Sequence, residues 1–346
     1  MPNHLSEGEL IGELRRCPGL IPVGIDAGNQ RLLWQDLDSY HCYEGFFHRS
    51  LHLIDAINNL KRRQNQVFTS DLSVLGSEGI LTEYLYPSGF IFHVGRSGST
   101  LLMKALARSR ANLVLGEAAP LAQIWAILTD SWQREVGSEP RDSLFFRQLI
   151  FVMGRRRLAT HRAYFIKLTS FNLLFYDFIK RVFPDVPALF LYREPQAILV
   201  SMLNNPPGWL HSSDAKLRAM ITGIPVGEDQ TAEPLMSAER ALARIFSAAL
   251  RAGTRGLKYL NYHQLTGDNL PAILRAFNVT ASPEELGVMR TQFGYYSKSD
   301  YGTRLFHRDS EVEQRDRILD IRASAGCGLE ALYDELARST SNLFIA

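Results

Sequence analysis

Apolar residues follow two alternating patterns along most of this chain: short, mainly apolar runs, and longer stretches with apolar residues every three or four positions. The runs have the length of strands that are buried on both faces of a parallel sheet. They lie at residues 90–94, 112–115, 164–168, 188–192 and 257–261. The longer stretches have helical spacing and predict helices at residues 121–128, 144–158, 173–183, 196–203, 237–251 and 270–277. This alternation predicts an α/β domain over residues 89–346, with a central parallel sheet flanked by helices.

Residues 1–88 show a different pattern. A short helix is predicted at residues 10–14, before the Cys17-Pro18-Gly19 turn, and an amphipathic helix is predicted over residues 46–60. We therefore expect a mainly helical N-terminal extension that packs on the α/β domain.

Residues 204–234 interrupt the alternation with four prolines and several glycines, although residues 216–221 have helical spacing. A long irregular insertion in a compact domain is more often functional than structural. We predict that this segment is a lid over the binding site of a substrate.

Composition narrows the class of protein. The 346 residues are 46% hydrophobic and 21% charged, as in ordinary globular proteins. A formal net charge of +2 does not indicate a nucleic-acid partner. The three cysteines are far apart, which indicates a reducing compartment and no cysteine metal site. No apolar stretch is long enough to span a membrane and the N-terminus lacks the layout of a signal peptide, so we expect a soluble cytoplasmic protein.

The clearest candidate for chemistry is the turn that follows the run at residues 90–94. It reads Gly95-Arg96-Ser97-Gly98-Ser99-Thr100. Helical spacing begins directly after it, so the turn joins a buried strand to the N-terminus of a helix. In that position, free backbone N–H groups and the positive end of the helix dipole point at one spot. The turn therefore predicts a cradle for a phosphate or sulfate group, with Arg96 as a fixed positive charge.

The identity of the anion depends on a residue that the turn lacks. A loop for nucleotide triphosphates reads G-x-x-x-x-G-K-[ST], with a lysine that reaches the terminal phosphates. Here Ser99 follows Gly98, and Arg96 lies two residues before that glycine. The turn instead resembles the 5′-phosphosulfate loop of sulfotransferases that use 3′-phosphoadenosine-5′-phosphosulfate (PAPS). The resemblance implies a P-loop-like fold and a PAPS site formed by Arg96, Ser97, Gly98, Ser99 and Thr100.

A second match to this family follows the run at residues 188–192. Arg193 comes directly after the run, and Ser201 lies eight residues later in a predicted helix. In sulfotransferases, an arginine and a serine at this spacing hold the 3′-phosphate of PAPS, and a guanidinium suits that role because its fork matches phosphate oxygens. The resemblance implies that Arg193 and Ser201 distinguish PAPS from ATP.

Two further residues resemble the site of the tyrosylprotein sulfotransferases and, less closely, of the glycan-modifying ones. Those enzymes carry a Gly-Glu pair about twenty residues after the cradle arginine, and its glutamate acts as the base. Here Gly116-Glu117 places the glutamate 21 positions after Arg96. Lys167 interrupts an apolar run, which is costly unless its charge has a partner. It matches the family lysine that neutralises the phosphosulfate bridge. The resemblance therefore implies that Glu117 is the general base and that Lys167 and Arg96 stabilise the leaving phosphate.

Weaker matches involve Tyr262 and Lys298. The sequence Tyr262-His263-Gln264-Leu265 resembles a Tyr-Glu-x-Leu element of the family, with histidine in place of the usual glutamate. Its tyrosine lies near the adenosine phosphate in the family, and Lys298 is expected in a loop that closes over the nucleotide. His93, within the first run, is expected to be an ordinary core histidine.

The resemblance implies transfer of a sulfuryl group from PAPS, without a metal, to a hydroxyl acceptor: a small molecule, a sugar, a lipid or a peptide tyrosine. Two alternatives stay open: a nucleotide-dependent kinase with a degenerate phosphate loop, and a nucleotide-binding protein without catalytic activity.

Overall fold

The computed structural model describes residues 2–62, 67–228, 233–295 and 328–344. Its strands are β1 (Asn3–His4), β2 (Leu20–Asp26), β3 (Arg31–Asp36), β4 (Val67–Asp71), β5 (Gly89–His93), β6 (Asn112–Gly116), β7 (Ala163–Lys167), β8 (Ala188–Tyr192) and β9 (Leu257–Asn261). Its α-helices are α1 (Glu7–Arg16), α2 (Phe47–Leu60), α3 (Ser99–Ala107), α4 (Ala119–Leu128), α5 (Pro140–Met153), α6 (Tyr176–Val182), α7 (Pro195–Asn204), α8 (Ala215–Thr222), α9 (Pro234–Gly253), α10 (Leu270–Ala276), α11 (Pro283–Thr291) and α12 (Gly328–Arg338). Short 3₁₀ helices lie at Leu72–Gly76, Glu78–Ile80, Ser170–Phe175, Gly208–His211, Tyr262–Gln264 and Gln292–Gly294.

The central sheet contains five parallel strands in the order β6-β7-β5-β8-β9. All residues of β5, β6, β7 and β8 are buried, because helices cover both faces of the sheet. The predicted α/β fold with a parallel sheet flanked by helices is confirmed. Since β5 lies in the middle of the sheet, the glycine turn that follows it leaves from the centre of the carboxyl edge.

Strand register brings the ends of β6 and β7 together at this edge. Gly116 pairs with Lys167, and the backbone N–H of Glu117 donates to the Lys167 carbonyl at 2.7 Å. The ligands of open parallel sheets bind outside the carboxyl ends of the strands. Glu117 and Lys167 are therefore placed beside the glycine turn by the topology of the sheet.

The N-terminal extension corrects one prediction. Residues 1–88 contain both predicted helices, as α1 and α2, but they also form a four-stranded sheet in the order β1-β4-β3-β2. The extension is therefore of mixed α/β structure and not mainly helical. β2 was not predicted because it contains Pro22 and Gly24, and both residue types are rare inside strands. A register shift between them accommodates both in the pairing with β3.

The N-terminal sheet is joined to the rest of the protein through a shared core. Leu20 and Trp34 belong to the same buried apolar cluster as Phe92 and Trp125. In addition, the Gln123 side chain on α4 accepts a hydrogen bond from the backbone N–H of Ile25 at 2.8 Å. The extension therefore packs on α4 and α5 and shares their apolar core.

The predicted helices of the α/β domain are present with differences in their bounds, whereas α11 and α12 were not predicted from the sequence. The helix expected at residues 173–183 is divided into a 3₁₀ helix, Ser170–Phe175, and α6. The helix expected at residues 144–158 begins earlier, at Pro140, because Glu139 and Asp142 form a capping box. No helix in the described part of the chain is both long and apolar enough to cross a membrane.

Candidate functional site

The glycine turn after β5 has the backbone shape of an anion cradle. Gly95, Arg96 and Gly98 have positive φ angles of 81°, 54° and 82°, and Gly98 caps the N-terminus of α3. Successive residues in this region turn their N–H groups into one concavity. A side chain at position 98 would be excluded in any case, because its Cβ would lie 2.8 Å from Leu265 Cδ2 and 3.0 Å from the Tyr262 ring. The sequence prediction of a tight glycine cradle therefore has a steric basis.

The hydroxyl groups of the turn lie within the site. Ser97, Ser99 and Thr100 are buried, and the Ser97 hydroxyl has no hydrogen-bond partner within the described residues. A buried polar atom without a partner is costly, so this hydroxyl is suited to a ligand. The Arg96 guanidinium donates to the backbone oxygen of Asn205. Arg96 thereby connects the cradle to the segment at residues 204–234.

Glu117 and Lys167 form a buried ion pair beside the cradle. Lys167 Nζ lies 2.8 Å from Glu117 Oε1 and 3.4 Å from the Thr100 hydroxyl, and the Lys167 side chain has no exposed surface. His93 Nε2 lies 3.3 Å from the same carboxylate oxygen. Burial alone would raise the pKa of the Glu117 carboxyl, but the Lys167 ammonium and the His93 imidazole outweigh it and hold that pKa well below its usual range. Lys167 thus has the charged partner that its burial requires.

The backbone of Glu117 is itself unusual. Its φ angle is 49°, a region that non-glycine residues seldom occupy. Such conformations persist where the surrounding structure fixes them, and they are common in functional sites. Here the turn follows Gly116 at the end of β6 and aims the carboxylate toward Lys167.

The sequence analysis missed a contribution from the N-terminal extension, the segment Glu44-Gly45-Phe46 that precedes α2. Gly116 lies so close to this segment that a Cβ on it would be 2.3 Å from the Gly45 backbone oxygen. A Cβ on Gly45 would in turn be 2.5 Å from Thr100 Cγ2. Glycines at both positions let the 44–46 segment pack directly on the cradle and on the end of β6.

Side chains of the 44–46 segment also contact cations of the site. The Phe46 ring covers the Lys167 ammonium at 4.2 Å from the ring centre, and Glu44 pairs with Lys104 on α3 at 3.3 Å. A cation over an aromatic face is stabilised by about 2 kcal/mol when it is desolvated. No local sequence pattern marks Phe46, since the contact depends on the packing of the extension against the sheet.

Arg193 and Tyr262 lie together on the other side of the cradle. The Arg193 guanidinium is 4.2 Å from the centre of the Tyr262 ring, and the same ring contacts Gly98. His263, the residue that replaces the usual glutamate, pairs with Glu194 at 2.7 Å. The Tyr333 hydroxyl on α12 donates to Glu194 at 3.2 Å. The site therefore retains a histidine–carboxylate contact next to Arg193.

The structure brings most of the predicted residues to one edge of the sheet. Ser201 is half-buried on α7, and within the described residues no hydrogen bond joins its hydroxyl to the other site residues. Lys298 lies outside the described residues. The predicted lid contains α8, which forms one wall of a cavity of about 580 Å³ with residues such as Trp132 and Phe175. None of the predicted site residues lines this cavity, so the role of residues 204–234 as a lid stays a prediction.

Comparisons with known proteins give only distant similarities. No protein-family model and no curated protein sequence matches the chain. Among solved structures, it is similar to the sulfotransferase domain of the olefin synthase from Synechococcus PCC 7002, with a TM-score of 0.42 and 15% identity over 75% of this chain and 97% of that one. Sulfotransferases from Alicyclobacillus acidocaldarius and Mycobacterium avium (STF9) match at TM-scores of 0.38 and 15% identity each; the alignments cover 74% and 92% of this chain and 98% and 96% of the other chains. Similarities at this level do not assign the chain to a family. Its function must therefore be inferred from the residues of the site.

Proposed function

We propose that this protein transfers a sulfuryl group from PAPS to a hydroxyl-bearing acceptor, with Glu117 as the general base. The observation that carries the proposal is the Glu117–Lys167 pair, placed 2.8 Å apart at the mouth of an anion cradle. A base and a cation are both needed next to the transferred group. Here they occupy the ends of neighbouring strands, and Lys167 also reaches toward Thr100 in the cradle.

The residues around the cradle suit a sulfated nucleotide. The N–H groups of the glycine turn and the unpartnered Ser97 hydroxyl offer donors to the 5′-phosphosulfate. Arg193, held over the Tyr262 ring, offers a guanidinium to the 3′-phosphate. Ser201 and Lys298 remain proposed ligands of the same nucleotide on the basis of the sequence alone.

In this mechanism the residues divide two tasks. Glu117 takes the proton of the acceptor hydroxyl while the acceptor oxygen forms a bond to sulfur and the bond from sulfur to the bridging oxygen breaks. Lys167, Arg96 and the amides of the cradle stabilise the negative charge that develops on the departing 5′-phosphate. Lys167 can contact either the Glu117 carboxylate or the departing phosphate, because it lies between Glu117 and the cradle. When Lys167 turns toward the departing phosphate, Glu117 loses its main cation and becomes a stronger base.

The kinase alternative fits these contacts less well. A phosphate loop of that class needs a lysine after Gly98 and a carboxylate that is available to magnesium. The chain has Ser99 at that position, and the Glu117 carboxylate beside the cradle is already paired with Lys167.

The second alternative is a nucleotide-binding protein without catalytic activity. Such a protein would have no need for a base beside the cradle. Small alcohols, phenols, sugars, lipids and peptide tyrosines all fit as acceptors.

The nucleotide preference tests the proposal directly. Wild-type protein should bind 3′-phosphoadenosine-5′-phosphate more tightly than ATP or GTP in calorimetric titrations. Arg193→Ala should weaken that binding by about 2–4 kcal/mol, because it removes a charge-assisted contact. Binding of adenosine 5′-phosphosulfate, which lacks the 3′-phosphate, should hardly change. Equal losses for both ligands would show that Arg193 does not recognise the 3′-phosphate.

Catalysis should not depend on added magnesium. Lys167 lies beside the cradle and Arg96 is part of the glycine turn, so two cations are available without a metal. A sulfuryl group also carries less negative charge than a phosphoryl group. Turnover with excess chelator is therefore expected to equal turnover with magnesium in an assay that uses labelled PAPS and one identified acceptor. Loss of turnover in chelator, with full recovery when magnesium is restored, would favour the kinase alternative.

A further inference from the structure

His93 connects the anion cradle to the proposed base. It is the last residue of β5 and is 5% exposed. Its ring lies between two groups of the site. The backbone N–H of Gly95 donates to Nδ1 at 2.9 Å. Nε2 lies 3.3 Å from Glu117 Oε1 and is a buried atom without a hydrogen-bond partner among the described residues. A histidine that only filled the core would have no need to contact both the cradle and the carboxylate.

The contact with Gly95 fixes the tautomer of the ring. A backbone N–H can only donate, so Nδ1 must accept and cannot carry a proton. The ring is then neutral and carries its proton on Nε2, the atom that faces Glu117. The glycine turn therefore sets the tautomer that presents a donor to the base. The Gly95 amide is at the same time withdrawn from the set of N–H groups that face a bound anion.

We propose that His93 is the positioning residue of Glu117. Its Nε2 faces Oε1 at 3.3 Å, the oxygen that Lys167 also contacts at 2.8 Å. When Nε2–H donates to Oε1, Oε2 is left to receive the proton of the acceptor. The catalytic consequence of this arrangement rests on the proposed function, whereas the arrangement itself does not.

A neutral donor is suited to this role because Lys167 has a second task. When Lys167 moves to the departing phosphate, the carboxylate would otherwise lose the partner that orients it. His93 is anchored on β5 by Gly95 and cannot follow Lys167, so it keeps Glu117 in place. We expect the contact of 3.3 Å to shorten at that stage. A neutral hydrogen bond also lowers the basicity of the carboxylate less than a cation does.

The first test is spectroscopic and needs no turnover. In protein labelled with ¹⁵N-histidine, the His93 resonances are identified by their loss in His93→Asn. They should show an unprotonated Nδ1 and a protonated Nε2. In Glu117→Gln, the Nε2–H proton should shift upfield, because the acceptor loses its charge. A proton on Nδ1 would overturn the inference, and so would an Nε2–H chemical shift that is the same in Glu117→Gln as in the wild type.

The second test uses a matched pair of variants. In His93→Asn the shorter side chain can still accept from Gly95 but cannot reach Glu117, whereas in His93→Gln the amide extends to the position of Nε2. We expect kcat to fall about 10- to 100-fold in His93→Asn and to recover to within a few-fold of wild type in His93→Gln. KM for PAPS should be unchanged in both.

The pH profile separates positioning from general damage. Loss of a donor to the charged carboxylate raises its pKa, so the acid limb of the kcat profile should move to higher pH in His93→Asn. Among the described residues, the other ionisable groups that act on Glu117 include Lys167 on β7 and His48 on α2. His48→Gln is therefore the control, and it should leave the acid limb of His93→Asn in place when the two substitutions are combined.

Equal losses of kcat in His93→Asn and His93→Gln, with an acid limb that does not move, would overturn the inference. Absence of PAPS-dependent turnover in the wild type would instead overturn the proposed function, while the nitrogen resonances decide the arrangement alone.

Discussion

Replacement of Glu117 by glutamine should lower kcat for sulfuryl transfer by about 10²- to 10⁴-fold, the usual effect of removing a general base. Glutamine keeps the length and shape of the side chain but cannot accept the proton of the acceptor. The residue is otherwise well placed for this role, since its carboxylate lies beside the cradle, 2.8 Å from Lys167 Nζ and 3.3 Å from His93 Nε2. The measurement is steady-state turnover with PAPS and one identified acceptor.

The nucleotide affinity is the control for this variant. Glu117→Gln releases Lys167 from its anion, so binding of 3′-phosphoadenosine-5′-phosphate should be as tight as in the wild type or tighter. A weaker Kd would indicate that the substitution has damaged the cradle rather than removed a base.

Two histidines, His161 and His211, are alternative candidates for the base. His161 is 1% exposed and lies 3.3 Å from His41, and burial lowers its pKa to about 3. It has no access to an acceptor. His211 ends the 3₁₀ helix Gly208–His211 in the predicted lid. If Glu117→Gln retained most of its turnover while His211→Gln lost it, the base would be the histidine and our assignment would be wrong.

Local patterns in the sequence were sufficient for the central sheet and the cradle. Strands buried on both faces must be continuously apolar, so β5, β6, β7 and β8 could be predicted almost to the residue. The cradle could be predicted because its strand, its glycine turn and the start of its helix are consecutive in the sequence. The common position of Glu117 and Lys167 then followed from the parallel topology, which brings the carboxyl ends of strands to one edge.

Other parts of the site depend on contacts between distant segments and have no local pattern. Phe46 reaches Lys167 only because the 44–46 segment of the N-terminal extension packs on the cradle and on the end of β6. His93 was interpreted as a core histidine because its sequence neighbours are apolar, and neither the Gly95 amide nor Glu117 could be seen beside it. His263 departs from the family pattern, and the sequence alone does not show that it contacts Glu194. In each case the partner lies on another strand or helix.

Replacement of Lys167 by methionine should affect both turnover and stability. Methionine has a similar length but no charge, so the departing phosphate loses a cation, and kcat should fall about 10²- to 10³-fold. Glu117 would at the same time remain buried without its main partner. Breaking a buried ion pair from one side typically costs about 3–5 kcal/mol of unfolding free energy. Urea unfolding at neutral pH measures this loss.

The pH dependence of that loss has a definite sign. In the wild type the pKa of Glu117 is lower in the folded than in the unfolded protein, so its contribution is present above the unfolded pKa and disappears as the pH falls through the folded one. Without Lys167, burial raises the folded pKa above the unfolded one, and the carboxylate destabilises the protein at neutral pH. That penalty disappears on protonation, so the unfolding free energy of Lys167→Met should rise relative to wild type between about pH 7 and about pH 5.

The double variant Lys167→Met/Glu117→Gln distinguishes the two effects. It contains no buried charge at this position, so most of the lost unfolding free energy should return at pH 7, because removal of both partners of a buried pair is often nearly neutral. Turnover should not return, since the base and the cation are both absent. A double variant as unstable as Lys167→Met would mean that lost packing under the Phe46 ring, and not an unpaired carboxylate, causes the instability. An active double variant would exclude both residues from the chemistry.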